Sequence, residues 1–134
     1  MTDLQLMQLA VEAREMAYAP YSGFRVGAAL LGKSGKVYKG CNVENAAYSP
    51  TNCAERTALF KAVSEGEREF TAIAIVGGMD ETIADFCAPC GVCRQVLAEF
   101  CDKDFRLILG NPDNVKAYSF EEILPFAFGK GDLE

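Results

Sequence analysis

Two of the helices predicted for this chain carry cysteines at their start, and this feature restricts the fold more than any other. Cys53 is the first residue of one helical segment, and Cys90 and Cys93 stand three residues apart at the start of a later one. The i, i+3 spacing places the last two sulfurs on one side of a first helical turn. A fold in which the three thiols act together must therefore bring two helix N-termini to one point.

The rest of the chain alternates helical and extended segments. An amphipathic helix begins at a capping box of Thr2 and Gln5 and keeps its apolar period to Ala17. Strands are predicted at 24–31, 36–41, 70–76, 106–109 and 115–118, a loop at 77–88, and helices at 53–64, from Pro89 onward and at 119–124. This order predicts an α/β/α layered sandwich with a mixed five-stranded sheet, in a single domain spanning residues 1–134.

Composition and charge exclude several classes of protein. Half of the 134 residues are hydrophobic and 24% are charged, which is typical of a globular chain. No apolar run approaches the ~18 residues that cross a bilayer, and the first residues lack a basic secretory signal, so we expect a cytoplasmic protein with no membrane partner. The net charge of −6 disfavours nucleic acid polymers, because phosphate binding needs a basic surface.

The cysteines predict a metal site. The chain has six cysteines and no histidine, and clustered cysteines in a cytoplasmic protein more often bind metal or do redox chemistry than form disulfides. We predict Cys53, Cys90 and Cys93 as zinc ligands, since three protein ligands leave open the fourth position that catalytic zinc requires. Cys87 forms an overlapping Cys-x-x-Cys pair with Cys90, but it lies in the loop before Pro89, and we predict a partly buried thiol.

Charged residues stand beside these cysteines. Glu55 could share a site with Cys53 only in a loosely wound first turn, where a carboxylate would serve general acid–base chemistry; the alternative is an acid that simply favours a helix N-terminus. Three thiolates on Zn²⁺ leave a net charge of −1, which Arg56 could offset by bonding to sulfur. The alternative is a solvated arginine on the helix surface, and this is our prediction for Arg94.

The motifs resemble those of a known family. Cys53-Ala54-Glu55 followed by Pro89-Cys90-Gly91-Val92-Cys93 resembles the signature of zinc-dependent cytidine deaminases. The segments 24–29, 42–46 and 124–128 are also similar to family segments, so the resemblance covers nearly the whole chain. Cysteine as the first ligand is typical of the small homotetrameric members. The resemblance implies one zinc per subunit and the conversion of cytidine and deoxycytidine to uridine, deoxyuridine and ammonia in pyrimidine salvage.

The resemblance also implies roles for individual residues. Glu55 would carry a proton from the zinc-bound water to N3 of the pyrimidine while zinc-activated hydroxide attacks C4. Asn42 and Glu44, which point to the same side of an extended chain, would bind the ribose hydroxyls. Phe24 would line the pyrimidine pocket, and the backbone N–H of Ala54 would meet the base carbonyl.

Subunit contacts are implied in the same way. Phe128 would reach the active site of a neighbouring subunit, so a homotetramer with shared active sites is expected. Phe126 lies beside it in a tail with little chain left to cover either ring, which fits a subunit contact. Ala46 and Tyr48 are further candidates for contacts between subunits.

Three alternatives remain open. An aminohydrolase acting on another cytosine-bearing small molecule, such as blasticidin S, would use the same zinc site, although Asn42 and Glu44 favour a ribose partner. A structural zinc module would make Glu55 dispensable. A redox protein using Cys87, Cys90 and Cys93 would form a reversible disulfide and hold no stoichiometric zinc. A nucleotide substrate is disfavoured, because the sequence contains no evident phosphate cradle.

Overall fold

The computed structural model describes all 134 residues and is built around one mixed sheet. Its strands are β1 (Phe24–Gly32), β2 (Val37–Cys41), β3 (Phe70–Met79), β4 (Arg106–Asn111) and β5 (Asn114–Ser119), in the spatial order β2-β1-β3-β4-β5. Only β3 and β4 pair in parallel, and the other neighbours are antiparallel. The predicted mixed five-stranded sheet is confirmed.

Helices cover both faces of this sheet. They are α1 (Asp3–Arg14), α2 (Ala54–Ser64), α3 (Gly91–Phe100) and α4 (Phe120–Ile123), and a 3₁₀ turn follows at Lys130–Leu133. Alternate residues of β3 face opposite sides, so Ile73 and Ile75 pack in the core beneath α2 and α3, while Ala74 packs in the core beneath α1. The α/β/α layering expected from the sequence is therefore present. No helix has the length and apolar character needed to cross a membrane.

Strand direction brings the two cysteine-led helices together. Because β1 is antiparallel to both β2 and β3, those two strands run the same way, and α2 connects them. In the same manner α3 connects β3 to its parallel neighbour β4. A helix that follows such a strand begins at the strand's carboxyl end, where α/β proteins build their sites. Cys53 and Cys90 consequently lie at one edge of the sheet.

A glycine fixes the distance between α2 and the sheet. A Cβ on Gly40 of β2 would lie 2.6 Å from the carbonyl oxygen of Ala54 and closer still to the backbone nitrogen of Ala58. The first turn of α2 therefore rests directly on the backbone of β2. This contact determines how far the first residues of α2, and Cys53 before them, stand from the strand.

The predicted ends of α1 and β3 were wrong. α1 ends at Arg14 and not at Ala17, because the chain turns there to pair with the segment after β2, where the N–H of Tyr18 donates to the carbonyl of Asn42. β3 continues through Gly77 and Gly78, which we had assigned to the following loop. β1 is long enough to pair with both glycines, so the strand extends to Met79.

The predicted start of α3 was also wrong. Pro89 lies before the helix, and Cys90 is its N-cap, with an extended backbone (φ −69°, ψ 167°). The Sγ of Cys90 accepts a hydrogen bond from the N–H of Cys93 at 3.4 Å. A sulfur thus takes the place of the oxygen that usually caps a helix.

A buried arginine holds the loop that leads from β3 to α3. Arg14, which is 6% exposed, donates Nη2 to the carbonyls of Gly78, Asp80 and Thr82 at 2.6–2.9 Å. Its Nε donates to the carbonyl of Arg25 at 3.0 Å. The guanidinium therefore ties the end of α1 to β1 and to the start of this loop.

Candidate active site

Three sulfurs form a cluster at the carboxyl edge of the sheet. Those of Cys53, Cys90 and Cys93 lie within 4.8 Å of one another, and the Cys53 and Cys90 sulfurs are 3.8 Å apart. Sulfurs bound at about 2.3 Å to a tetrahedral zinc ion lie roughly 3.8 Å from each other, so the cluster fits this metal. The three are the ligands predicted from the sequence, and Cys87 is not among them.

The helix ends favour negative charge on these sulfurs. Cys53 and Cys90 are the N-caps of α2 and α3, and Cys93 is buried in the first turn of α3. Without metal, a hydrogen bond from Cys93 and a second one from Arg56 lower the pKa of Cys53 to about 5, against the opposing effect of burial. The same hydrogen bond raises the pKa of Cys93, because the Cys93 thiol keeps its proton in order to donate it to the Cys53 sulfur. Within the pair of Cys53 and Cys93, the negative charge is therefore held on Cys53.

Arg56 lies against the thiolates, as one of the two readings of the sequence expected. Its Nη2 donates to the Sγ of Cys53 at 3.2 Å, and this bond raises the pKa of the guanidinium. Its Nε is buried with no hydrogen-bond partner. The positive charge thus stands next to the sulfurs and not in solvent.

Glu55 is buried beside the cluster. Its side chain is 5% exposed, and burial raises the pKa of its carboxyl to about 7. Cys53 is an N-cap with extended backbone (φ −74°, ψ 157°), so it lies outside the helical geometry that would otherwise point the two side chains apart. An acid that only favoured the helix N-terminus would be solvated, whereas this one can gain or lose a proton near neutral pH.

A cavity of about 280 Å³ opens beside the cluster. It gathers seven of the predicted site residues in its lining: Phe24, Asn42, Glu44, Cys53, Ala54, Glu55 and Cys90. Cys93 and Arg56 are not part of the lining. Phe128 is absent from it, so this aromatic ring does not contribute to the cavity of its own chain.

Asn42 has a structural partner that the sequence did not reveal. Its Oδ1 accepts from the N–H of Val26 at 2.9 Å, and its Nδ2 donates to the carbonyl of Phe24 at 2.8 Å. The buried amide thereby fixes the start of β1, and with it the ring of Phe24 on the cavity wall. One N–H of Nδ2 and one lone pair of Oδ1 remain for other partners.

Glu44 is held at the rim of the same cavity. Its carboxylate accepts from the N–H groups of Tyr21 and Ser22 at 2.9 and 3.1 Å, and from the Ser22 hydroxyl. The bonds from Ser22 lower the pKa of Glu44. From the sequence, the Tyr21–Ser22 segment was predicted only to end a helix. Nothing in its turn residues indicated that it would donate hydrogen bonds to Glu44.

Cys87 lines the cavity as the partly buried thiol that we predicted. Burial raises its pKa to about 11. A Cβ on Gly77 would lie 2.8 Å from the Sγ of Cys87 and 3.1 Å from the ring of Phe24, so the glycine leaves the room that both side chains occupy. A glycine within an apolar strand often marks such a close approach, and this signal was missed.

The prediction for Arg94 was wrong. Its side chain is partly buried, and it donates Nε to the carbonyl of Pro89 and Nη1 to the carbonyl of Ile123, each at 2.8 Å. It is only partly solvated, because the end of α4 and the segment before Cys90 both lie within hydrogen-bonding distance of its guanidinium. The sequence gives no sign of this contact, since Ile123 is distant along the chain.

The C-terminal tail carries two exposed aromatic rings. Phe126 is 105% exposed and Phe128 is 59% exposed, and Gln95 of α3 donates Nε2 to the carbonyl of Phe128 at 2.8 Å. Ala46 and Tyr48 are also exposed. These residues contribute nothing to the cavity of their own chain.

Known proteins resemble this chain over nearly its full length. A cytidine deaminase from Halalkalibacterium halodurans is 51% identical over 96% of this chain and 95% of its own. A crystal structure of cytidine deaminase from Burkholderia pseudomallei superposes with a TM-score of 0.87 at 50% identity, covering 96% of this chain and all of that one. A blasticidin-S deaminase from Bacillus cereus is 32% identical over 94% of this chain and 91% of its own.

The match to a family model agrees with the cluster and the cavity. Residues 1–109 match the model described as the cytidine and deoxycytidylate deaminase zinc-binding region. This span contains all three clustered cysteines, Glu55 and the residues that line the cavity. The chain therefore belongs to the cytidine and deoxycytidylate deaminase family of enzymes.

Proposed function

We propose that the protein hydrolyses cytidine and deoxycytidine to uridine and deoxyuridine, releasing ammonia, with one zinc ion per subunit. The observation that carries this proposal is a buried carboxyl with a pKa of about 7 beside three thiols at the spacing of zinc ligands. The carboxyl and two of the three thiols, those of Cys53 and Cys90, line one cavity. The 51% identity to a protein named cytidine deaminase supports the choice of substrate.

Cys53, Cys90 and Cys93 would hold the zinc. Bound there, the metal would supply the Lewis acidity that makes water a nucleophile near neutral pH. Three thiolates weaken that acidity because they donate negative charge to the metal. The hydrogen bond from Arg56 to the Cys53 sulfur offsets part of this negative charge. Arg56 thus supports the chemistry without touching the substrate.

Glu55 would move the protons. As a carboxylate it takes a proton from the attacking water and delivers it to N3 of the pyrimidine, while the oxygen bonds to C4. The remaining hydroxyl proton then passes through Glu55 to the amino nitrogen, the C4–N bond breaks, and ammonia leaves a C4 carbonyl. A pKa near the working pH suits a group that must accept and donate in turn.

The other cavity residues would orient the nucleoside. Glu44 is a charged acceptor with one lone pair of Oε2 left for a ribose hydroxyl, and Asn42 retains a free N–H. No side chain caps α2, so the N–H of Ala54 at its start is available to the base carbonyl. The ring of Phe24 provides an apolar wall for the pyrimidine.

We also propose a homotetramer in which Phe128 completes the active site of a neighbour. Phe126, Phe128 and Tyr48 each expose more than half of their surface, which leaves large aromatic areas open to another subunit. Sedimentation equilibrium would test the assembly, and Phe128→Ala would raise KM if the ring contacts substrate. A wild-type monomer with full activity would contradict this part of the proposal.

The setting of this activity is part of the same proposal. We place the enzyme in the cytoplasm and in pyrimidine salvage, since all six cysteines are free thiols and such thiols stay reduced in that compartment. Fractionation of cells, with the activity followed in each fraction, would test the location.

The deciding experiment is a direct assay of zinc-loaded protein with cytidine, following loss of the substrate by ultraviolet absorbance. Glu55→Gln keeps the shape of the side chain but cannot take up the proton, so we expect a loss of at least about 100-fold in kcat. Glu99→Gln removes an exposed carboxylate and is the matched control. Zinc-loaded wild type without activity on cytidine or deoxycytidine would refute the proposal, and activity on blasticidin S would then favour that substrate.

A further inference from the structure

One guanidinium joins the segment before a metal ligand to the C-terminal part of the chain. Arg94 lies in the first turns of α3, and its Nε donates to the carbonyl of Pro89, the residue before Cys90. Its Nη1 donates to the carbonyl of Ile123, the last residue of α4. We call residues 85–89 the ligand loop and residues 120–128 the C-terminal segment.

The ligand loop is held by side-chain packing and by a single hydrogen bond: Phe86 lies edge-on to Tyr118, and Cys87 packs against the core. No backbone N–H of residues 85–89 donates a hydrogen bond, and no other carbonyl of the loop accepts one. The bond from Arg94 is therefore the only hydrogen bond that the ligand loop makes. Cys90, which follows it, is the most exposed of the three clustered cysteines, whereas Cys93 is buried inside α3. The Cys90 sulfur accepts a hydrogen bond from the N–H of Cys93, and the backbone on its other side is the ligand loop.

The other end of the contact satisfies a helix terminus. The carbonyl of Ile123 ends a four-residue helix and has no partner within that helix, and a cation is favourable at a helix C-terminus. The adjacent Gln95 donates to the carbonyl of Phe128 at 2.8 Å. Neighbouring side chains of α3 thus hold the C-terminal segment at two points, and one of them also holds the ligand loop.

We propose that Arg94 is a positioning residue that fixes Cys90 through Pro89 and couples the C-terminal segment to the metal centre. This inference rests on the proposed zinc site. Because both carbonyls share one rigid guanidinium, order in the C-terminal segment strengthens metal binding. By thermodynamic reciprocity, metal binding orders the C-terminal segment to the same degree.

Zinc release measures the first half of this inference. Metal content is determined first, and release is then followed with a chromogenic zinc chelator for wild type, Arg94→Gln and Arg94→Lys. Arg106→Gln is the matched control, because Arg106 also makes two hydrogen bonds, to Asp3, far from the cluster. We expect Arg94→Gln to release zinc about 10-fold faster or more, and the control to behave as wild type. Lysine, which cannot span both carbonyls, should also release zinc faster than wild type.

The outcomes separate this inference from the proposed function. Wild type that binds no zinc would refute the metal site itself. Wild type that binds zinc, with Arg94 variants that release it at the wild-type rate, would overturn the role of Arg94 alone. If Arg94→Gln does not fold, as judged by circular dichroism, the lysine variant provides the same comparison.

Hydrogen exchange measures the coupling. Adding zinc to metal-free wild type should slow exchange of the amides in residues 124–128, and this protection should be reduced in Arg94→Lys and Arg94→Gln. A purely structural arginine would change exchange equally with and without metal. Equal zinc-dependent protection in wild type and both variants would overturn the coupling, as would its absence in wild type.

Discussion

Replacing Gly40 by alanine should loosen both the fold and the metal cluster. The added Cβ would lie 2.6 Å from the carbonyl oxygen of Ala54, where ordinary contact begins at 3.4 Å. The atoms in conflict are backbone on both sides, so α2 must move away from β2 by about 1 Å. Overpacking of this kind costs about 1–3 kcal/mol. For a chain of this size the melting temperature should fall by roughly 4–11 °C.

The same displacement reaches the metal ligands, because Cys53 is the N-cap of α2. A shift of about 1 Å carries its sulfur away from the 3.8 Å spacing with Cys90, and we expect zinc affinity to fall about 10-fold. Thermal unfolding of the metal-free protein and a competition titration with a chelator measure the two effects. Gly131→Ala is the control, since its Cβ would meet nothing within 4 Å. A Gly40→Ala protein that melts and binds zinc like wild type would refute this reasoning.

Three further predictions concern the site. Arg56→Gln removes the hydrogen bond to the Cys53 sulfur, so the pKa of that thiol should rise and zinc affinity should fall about 10-fold in a competition titration, with the exposed Arg68→Gln as control. Burial raises the pKa of Glu55 to about 7 from 4.5, so its contribution to stability is complete below pH 4.5 and is lost as the pH rises to about 7. In denaturation of the metal-free protein, the free energy of unfolding of wild type relative to Glu55→Gln should therefore fall by about 3 kcal/mol across that interval, and a constant difference would show that the carboxyl is not buried. Cys87→Ser should keep its full zinc content because this sulfur lies outside the cluster, whereas loss of zinc would make Cys87 a ligand.

Much of the fold was predictable because it depends on local patterns. The apolar period of α1 and the β-branched run of β3 are visible in the sequence, and they define which segments form helices and strands. Element ends were less predictable, since partners distant in sequence decide them. β3 extends through Gly77 and Gly78 only because β1 is long enough to pair with both.

The site shows the same division between local and distant contacts. Cys53, Glu55, Cys90 and Cys93 stand in short motifs whose spacing carries their chemistry, and the structure brings them together as expected. Of the two partners of Arg94, Pro89 is only five residues away, but Ile123 comes close to it only in the folded chain. No spacing rule connects an arginine of α3 with a carbonyl 29 residues further along the chain.

The overlapping cysteine pairs have a consequence for the order of folding and metal uptake. In the unfolded chain Cys90 can share a zinc ion with either Cys87 or Cys93, since each pair closes only a small ring. Recruiting Cys53, 37 residues before Cys90, closes a far longer loop at an entropic cost of roughly 3 kcal/mol, which only the folded sheet removes. A metal ion captured early by Cys87 must be surrendered before that thiol can take its place beside Gly77 and Phe24. Chains that fold before meeting zinc should therefore reach the native site faster than chains that bind it while unfolded.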